Sequence, residues 1–480
     1  MRKALKPKLI VLIVIALLLG ALPVGLVTSR KARGTSYSAF PDLPLAGHQR
    51  LLILAPHCDD ETLGSAGLIQ AALRQNMEVK VVIATNGDGF RFATMEDFHR
   101  LYARHQDFIR MGAQRQQESL SALDLLGLSP SQVVFLSYPD RGTPALWNDH
   151  WDAADPYYSP YIGTTSSPYP ATYNPDANFS GESYLADLVS IIGEYQPDLI
   201  VYPDPEDVHP DHWGLSVFTR AAVVQVEQEN PGFRPDAYTY LVHRPDFPQP
   251  KGLHVEQALL PPPRLYAIDR SWFKLDLPLA DELLKGRAVL EYRSQLPLLH
   301  TLLASFVRTN ELFTQPKPVV IPTLAEGRWQ DPQTWRDASG LPILPVQKDP
   351  VRDFLSRSFV PGADIVALYA ARNSDGNLVV CMQMRGRIEP TLVYTMQLAA
   401  FGAQGVRHST ARSGGRSQAD GAEVAMTGRF ACSQTSLSDL GNPGWVFTGA
   451  NVGEFGISIV DQIAWEQVDL SPPVFGQQVK

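Results

Sequence analysis

The chain has 480 residues, 44% hydrophobic and 19% charged, a composition that excludes disorder, collagen and coiled coil and is long enough for about three domains. Its net charge is −9; residues 1–33 hold seven basic and no acidic residues, so the remaining body carries 34 basic against 50 acidic ones. A body that acidic excludes a general nucleic-acid binder, and three cysteines exclude a disulfide-built scaffold or a four-cysteine zinc finger.

Arg2, Lys3, Lys6 and Lys8 precede an uncharged run of 19 residues, Leu9–Val27. As a helix it would cross a ~30 Å hydrocarbon core, and no small-residue cleavage pattern follows it. Residues 1–34 therefore read as an uncleaved signal anchor. The protein is expected to be a single-pass membrane protein, its body extracytoplasmic by the slight excess of basic residues before the span.

Leu51–Ala55 is an apolar run without alternation, typical of a parallel strand buried on both faces. A helix follows over Glu61–Gln75, then a second strand over Val79–Thr85, giving a βαβ unit. Residues 116–126 read as a helix, Val133–Leu136 as a strand, Leu185–Ile192 as a helix, Leu199–Tyr202 as a strand and Trp213–Gln228 as a helix. The alternation predicts an α/β fold: a Rossmann-like three-layer domain with a mainly parallel sheet. Residues 144–180 interrupt it with an aromatic, Pro-rich insertion, read either as a lid that stacks on a ligand or as a packed loop. Residues 276–304 look helical, and residues 314–350, with seven prolines, read as a linker. Residues 351–480 change to short β runs that predict a C-terminal β-sandwich-like domain. In one of them Leu378, Val380, Met382 and Met384 recur at every second position, which places four apolar side chains on one face. A chain covering residues 35–350 is accordingly expected to fold without the tail.

Two clusters carry chemistry. His57-Cys58-Asp59-Asp60-Glu61 follows the first strand, and His209-Pro210-Asp211-His212 follows the fourth. Either could be a helix cap or a polar turn. Ligands of an open parallel sheet bind beyond the carboxyl ends of its strands, and both clusters lie at that edge. Imidazole and carboxylate suit a divalent ion such as zinc, and three protein ligands with an open position make a hydrolytic site.

These residues resemble the PIG-L/LmbE-like family of zinc-dependent de-N-acetylases, which act on N-acetylglucosamine-type amides. The likeness runs from Pro56-His57-Cys58-Asp59-Asp60-Glu61 through Thr85-Asn86-Gly87-Asp88, Arg115-Gln116-Gln117-Glu118, Tyr138-Pro139-Asp140 and His209-Pro210-Asp211-His212 to Ser305–Phe313. It covers residues 48–313. It implies that His57, Asp60 and His212 hold one divalent ion, Zn2+. It implies Asp59 as general base, and a protonated His209 at the oxyanion, oriented or charged by Asp211. Arg115 and Asp140 would contact the sugar. The departure is Cys58, where the family usually has proline; it reads as a small buried side chain rather than a ligand. The expected function is removal of the N-acetyl group from an N-acetylglucosamine-type glycan or glycolipid. The expected partners are an amino-sugar substrate and, through the leader, the membrane. The alternatives are a related zinc hydrolase of a non-sugar amide or ester, and a non-catalytic glycan-binding protein. Cys381 and Cys432 could pair if their Cα distance allows.

Overall fold

The structure, a computed structural model, describes residues 40–480 except 99–101, 269, 317–318, 351–359, 403–404, 414–417, 420–421, 455–457 and 471–480. The expected single-pass membrane placement is corrected: among the described residues no helix is long and apolar enough to cross a membrane. The run Leu9–Val27, on which that expectation rested, lies outside the described residues.

The α/β part is built on a seven-stranded sheet. Its strands are β1 (Arg50–Ala55), β2 (Glu78–Thr85), β3 (Val133–Tyr138), β4 (Leu199–Pro203), β5 (Asp236–Tyr240), β6 (Trp272–Asp276) and β7 (Asn310–Thr314), in the order β3-β2-β1-β4-β5-β7-β6. The strands β1 to β5 run parallel, and β7 and β6 close the edge antiparallel. Leu51 to Ala55 are fully buried, as an apolar run without alternation requires when helices cover both faces. The chain leaves β1 for β2 on one side and later returns to place β4 on the other. The crevice at the carboxyl ends of β1 and β4 is therefore where the strand order reverses.

The insertion sends a few of its side chains into the core, and most of its residues stay partly or fully exposed. It starts with a short helix, Thr143–Asn148, and its Trp147, Tyr169 and Phe179 are buried while Tyr158 is exposed. Tyr169 donates its hydroxyl to Asp88 at 2.5 Å, which ties the insertion to the loop after β2.

The C-terminal part has two antiparallel-rich sheets. One is ordered β15-β16-β11-β10-β9 and the other β14-β13-β12-β17-β18-β8. In chain order these strands are β8 (Val319–Val320), β9 (Gln347–Lys348), β10 (Ile365–Arg372), β11 (Asn377–Met384), β12 (Leu392–Gly402), β13 (Gly405–Ser413), β14 (Gln418–Ala419), β15 (Ala422–Thr427), β16 (Phe430–Ser436), β17 (Trp445–Glu454) and β18 (Ser458–Asp469). Leu378, Val380, Met382 and Met384 share one core with Leu392, Met396 and Val452 of the other sheet. The opposite face of β11 is buried too: Val379 and Cys381 pack with Trp335 and Phe430. Cys381 and Cys432 are directly opposite on β11 and β16, with Cα atoms 4.0 Å apart, and form a disulfide.

The Pro-rich stretch is folded into this part. β8 pairs with β18, β9 pairs with β10, and Trp335 is fully buried. The two parts also share a core. Trp147 meets Phe401 of β12, Phe447 of β17 and Trp465 of β18 at ring-centroid distances of 6.2, 5.8 and 5.6 Å, and Phe218 of the α/β part at 4.9 Å. Arg220 donates Nη2 to the Trp465 carbonyl.

Candidate metal centre

The turn after β1 holds the first cluster in a fixed shape. Asp60 opens the helix Asp60–Arg74, and its Oδ2 accepts from the His57 backbone N–H at 3.1 Å and faces His57 Nδ1 at 2.9 Å. Asp59, just before the helix, has φ of 143°, a conformation that L-residues other than glycine adopt only under constraint. The constraint is visible: its carbonyl accepts from Thr62 and Leu63, its N–H donates to Glu61 Oε2 at 3.0 Å, and its carboxylate faces Arg115 Nη2 at 3.2 Å.

The second cluster sits at the start of the helix Pro210–Glu229. Pro210 fits the first helical position because its missing N–H would have no partner there. His209 is the cap, its Nδ1 accepting from the Asp211 N–H at 3.3 Å. The neutral tautomer therefore carries its proton on Nε2. The following turn points His212 inward, fully buried, with Nε2 3.0 Å from Asp60 Oδ2 and Nδ1 3.0 Å from Asp207 Oδ2.

The donor atoms of His57, Asp60, His212 and His243 all lie within 4.8 Å of one another. His57, His209 and Asp211 form a second such group on the other side of the His57 ring. The first set suits a divalent ion on the evidence of its own atoms. Asp60 Oδ1 and both ring nitrogens of His212 are buried without a directed hydrogen bond, and such orphaned groups are costly unless something charged satisfies them. Burial works against charge on both imidazoles, yet the surrounding carboxylates prevail. Asp140, Asp211 and Asp60 raise His57 well above the usual histidine value, and Asp207 with Asp60 raise His212 to about 9. Protons there neutralise carboxylates as a cation would.

The remaining groups are tuned differently. Burial raises the Asp59 carboxyl, Arg115 opposes and Asp60 adds, leaving it at about 7, where a general base works best. Burial and the neighbouring imidazoles His57, His243 and His212 hold His209 well below its usual value. The expected pairing of Asp211 with His209 takes another form. The Asp211 carboxylate is 3.9 Å from His209 Nδ1 and instead lies 3.3 Å from His57 Nε2, accepting from the N–H groups of Arg141 and Thr143. Asp140 lies 3.5 Å from His57 Nε2 and accepts from Gly89 N–H at 2.6 Å.

Arg115 crosses the site from the helix His105–Leu125. It donates Nη1 to the Gly87 carbonyl at 2.7 Å and Nη2 to the Cys58 carbonyl at 2.6 Å. Gly87 has φ of 62°, and a Cβ there would lie 1.7 Å from Arg115 Nη1, so any side chain would strain the backbone and displace the guanidinium. Cys58 is buried, its thiol raised well above the ordinary value chiefly by that burial, and it belongs to neither donor group among the described residues. The eight residues expected from sequence thus stand together. His57, Asp59, Arg115, Asp140 and His209 line one cavity of about 170 Å³, with Asp60, Asp211 and His212 buried behind.

Two participants were missed. His243 lies three residues beyond the end of β5, and Asp207 four beyond the end of β4. The sheet-edge rule that found the two clusters pointed to both positions; His243 stands alone in sequence, whereas Asp207 lies two residues before His209 and could have been read as part of that cluster.

Comparison with known proteins places these observations. The family model described as PIG-L, GlcNAc-PI de-N-acetylase, matches residues 52–223. A 1D-myo-inositol 2-acetamido-2-deoxy-alpha-D-glucopyranoside deacetylase from Mycobacterium sp. (strain KMS) is 29% identical over 189 residues, 38% of this chain and 53% of that one. The enzyme of that name from Mycolicibacterium smegmatis is 31% identical over 176 residues, 36% of this chain and 53% of its own. The chain spans about half the length of the curated relatives it matches. Among solved structures, an N,N'-diacetylchitobiose deacetylase from Pyrococcus horikoshii aligns with a TM-score of 0.35 at 18% identity, over 56% of this chain and 84% of that one.

Proposed function

Residues 52–223 are a PIG-L domain, and from that premise we propose that the chain is a metal-dependent hydrolase of amide C–N bonds that removes the N-acetyl group from an N-acetylglucosamine-type glycan or glycolipid. The observation that carries this reading is one juxtaposition. The His57–Asp60–His212 donor set lies beside Asp59, a carboxyl poised at about 7, on the wall of the cavity. A site that only binds a glycan needs no base tuned in this way.

His57, Asp60 and His212 would hold the ion, which is Zn2+ in this reading. When bound it supplies Lewis acidity toward the acetamide carbonyl and the attacking water. Asp59 accepts the proton of that water at its carboxylate and later delivers it to the departing amine. His209 Nε2–H faces the oxygen that gains charge as the carbonyl becomes tetrahedral. Arg115 holds Asp59 in place, and Asp211 and Asp140 fix the His57 ring. Asp140 and Arg115 also line the cavity, where a sugar hydroxyl can reach them. In this reading residues 48–313 form a Rossmann-like three-layer catalytic domain and residues 351–480 a β-sandwich, supported by the strand orders and by the core that the two C-terminal sheets share.

The test is acetate release. The purified protein, loaded with Zn2+, is offered N-acetylglucosamine derivatives, and free acetate and the primary amine are measured. Equal amounts of both, lost on chelation, are expected. Turnover of a simple ester or non-sugar amide with none of the amino sugars would overturn the substrate reading.

A further inference from the structure

The family likeness accounts for three donors, and the structure brings in a fourth. His243 approaches from β5, the strand beyond β4, and its Nε2 is 3.9 Å from Asp60 Oδ1. That separation is too long for a hydrogen bond. Two donors each about 2.0–2.2 Å from a common ion stand roughly 3–4 Å apart. Asp60 Oδ1 is fully buried and has no hydrogen-bond partner, so it awaits something on that side.

The position of His243 is fixed by the residue that fixes His212. Asp207 Oδ2 lies 3.0 Å from His212 Nδ1 and accepts from the backbone N–H of Val242 at 3.0 Å and of His243 at 2.8 Å. Asp207 Oδ1 accepts from the His209 N–H at 2.9 Å. One carboxylate therefore orients a metal-facing imidazole and pins the chain that presents the second, the kind of outer support that accompanies metal histidines. The His243 ring stands 4.7 Å from that of His212 and 5.1 Å from that of His209, and its side chain is 28% exposed on the cavity wall.

We propose that His243 is a fourth protein ligand of the ion held by His57, Asp60 and His212. This rests on the metal reading above. Catalytic zinc sites usually keep three protein ligands and an open position. With His243 as a fourth ligand, water would be a fifth donor, a coordination number that catalytic zinc can reach.

The test uses Co2+ as the probe and reads its visible absorption and its affinity in competition with a chelator. Wild type, His243→Ala, His243→Gln and His212→Ala are compared, each checked for an unchanged circular dichroism spectrum in the metal-free form. In both His243 variants the absorption should change in intensity and position. Affinity should fall by about 10–100-fold or more, since loss of an outer-shell partner alone costs that much. If both His243 variants keep the wild-type spectrum and affinity while His212→Ala loses its cobalt, the fourth ligand is overturned and the three-donor site stands. If activity alone falls, His243 serves the substrate, and the proposal is likewise overturned. If His212→Ala also keeps its cobalt, the donor set holds no ion and the metal reading itself fails.

Discussion

Asp59 Oδ2 lies 3.2 Å from Arg115 Nη2, joining a carboxylate on strained backbone to a guanidinium that also donates Nη2 to the Cys58 carbonyl and Nη1 to the Gly87 carbonyl. The arginine is fixed from three sides, so it positions the base instead of merely neutralising it. Asp59→Asn preserves shape and cannot accept the proton. Turnover should fall by about 10²–10⁴-fold with metal content unchanged. Metal analysis of the purified variant checks it, and loss of the ion would show that Asp59 and Asp60 have each other's roles.

Gly87 is where the guanidinium passes closest to backbone. Gly87→Ala places a Cβ 1.7 Å from Arg115 Nη1 and also holds alanine at φ of 62°. The arginine must move and release Asp59. A loss of kcat at least as large as that of Arg115→Lys is expected, with about 1–2 kcal/mol of destabilisation from the left-handed backbone. Steady-state kinetics and a thermal melt of both variants decide; a Gly87→Ala enzyme with wild-type kcat would refute the positioning role.

Metal binding should expel protons. Without an ion, His57 and His212 are raised, His212 to about 9, so both are protonated at pH 7. A ligand imidazole must be neutral. Titration of Zn2+ at pH 7 in buffers of different ionisation enthalpy should show release of protons, and affinity should rise as pH is raised above 7. No dependence on the buffer would contradict the assignment of these two imidazoles.

Trp147 links the two parts of the molecule. Trp147→Ala removes contacts with Phe218 on one side and Phe401, Phe447 and Trp465 on the other. A cost of about 3–5 kcal/mol is expected for a buried tryptophan. A chain ending at residue 350 would expose the same ring and should be insoluble, contrary to the modular expectation drawn from the Pro-rich stretch. Expression and melting of both forms settle the point.

Glu466 adds a pH dependence at this junction. Burial raises it to about 7 against the pull of Arg220 and Arg270 and with the help of Glu206. Between its ordinary value of 4.5 and about 7, the folded protein holds a proton that the unfolded chain has released. Stability from this group therefore falls as pH rises through that window and is level above it. The full effect is at most about 3 kcal/mol. Glu466→Gln should lose less melting temperature than wild type between pH 5 and pH 8; parallel curves would mean that Glu466 is not so perturbed.

Much of this was legible in the chain itself. The unalternating run Leu51–Ala55 and the dense clusters at His57 and His209 set the strand, the sheet edge and six site residues, because strand period and donor spacing are local properties; Arg115 and Asp140 came from the family resemblance. The leader's reading as a membrane span was drawn from apolar length, basic flanks and the lack of a cleavage pattern, and among the described residues no helix is long and apolar enough to cross a membrane. What only tertiary structure decided lies between elements. It brought His243 and Asp207 to the site, turned Asp211 toward His57, and buried Trp147 against the tail. Those outcomes depend on which strands are neighbours and how helices seat on them. A lone histidine three residues past β5 becomes a donor only when the sheet order sets β5 beside β4.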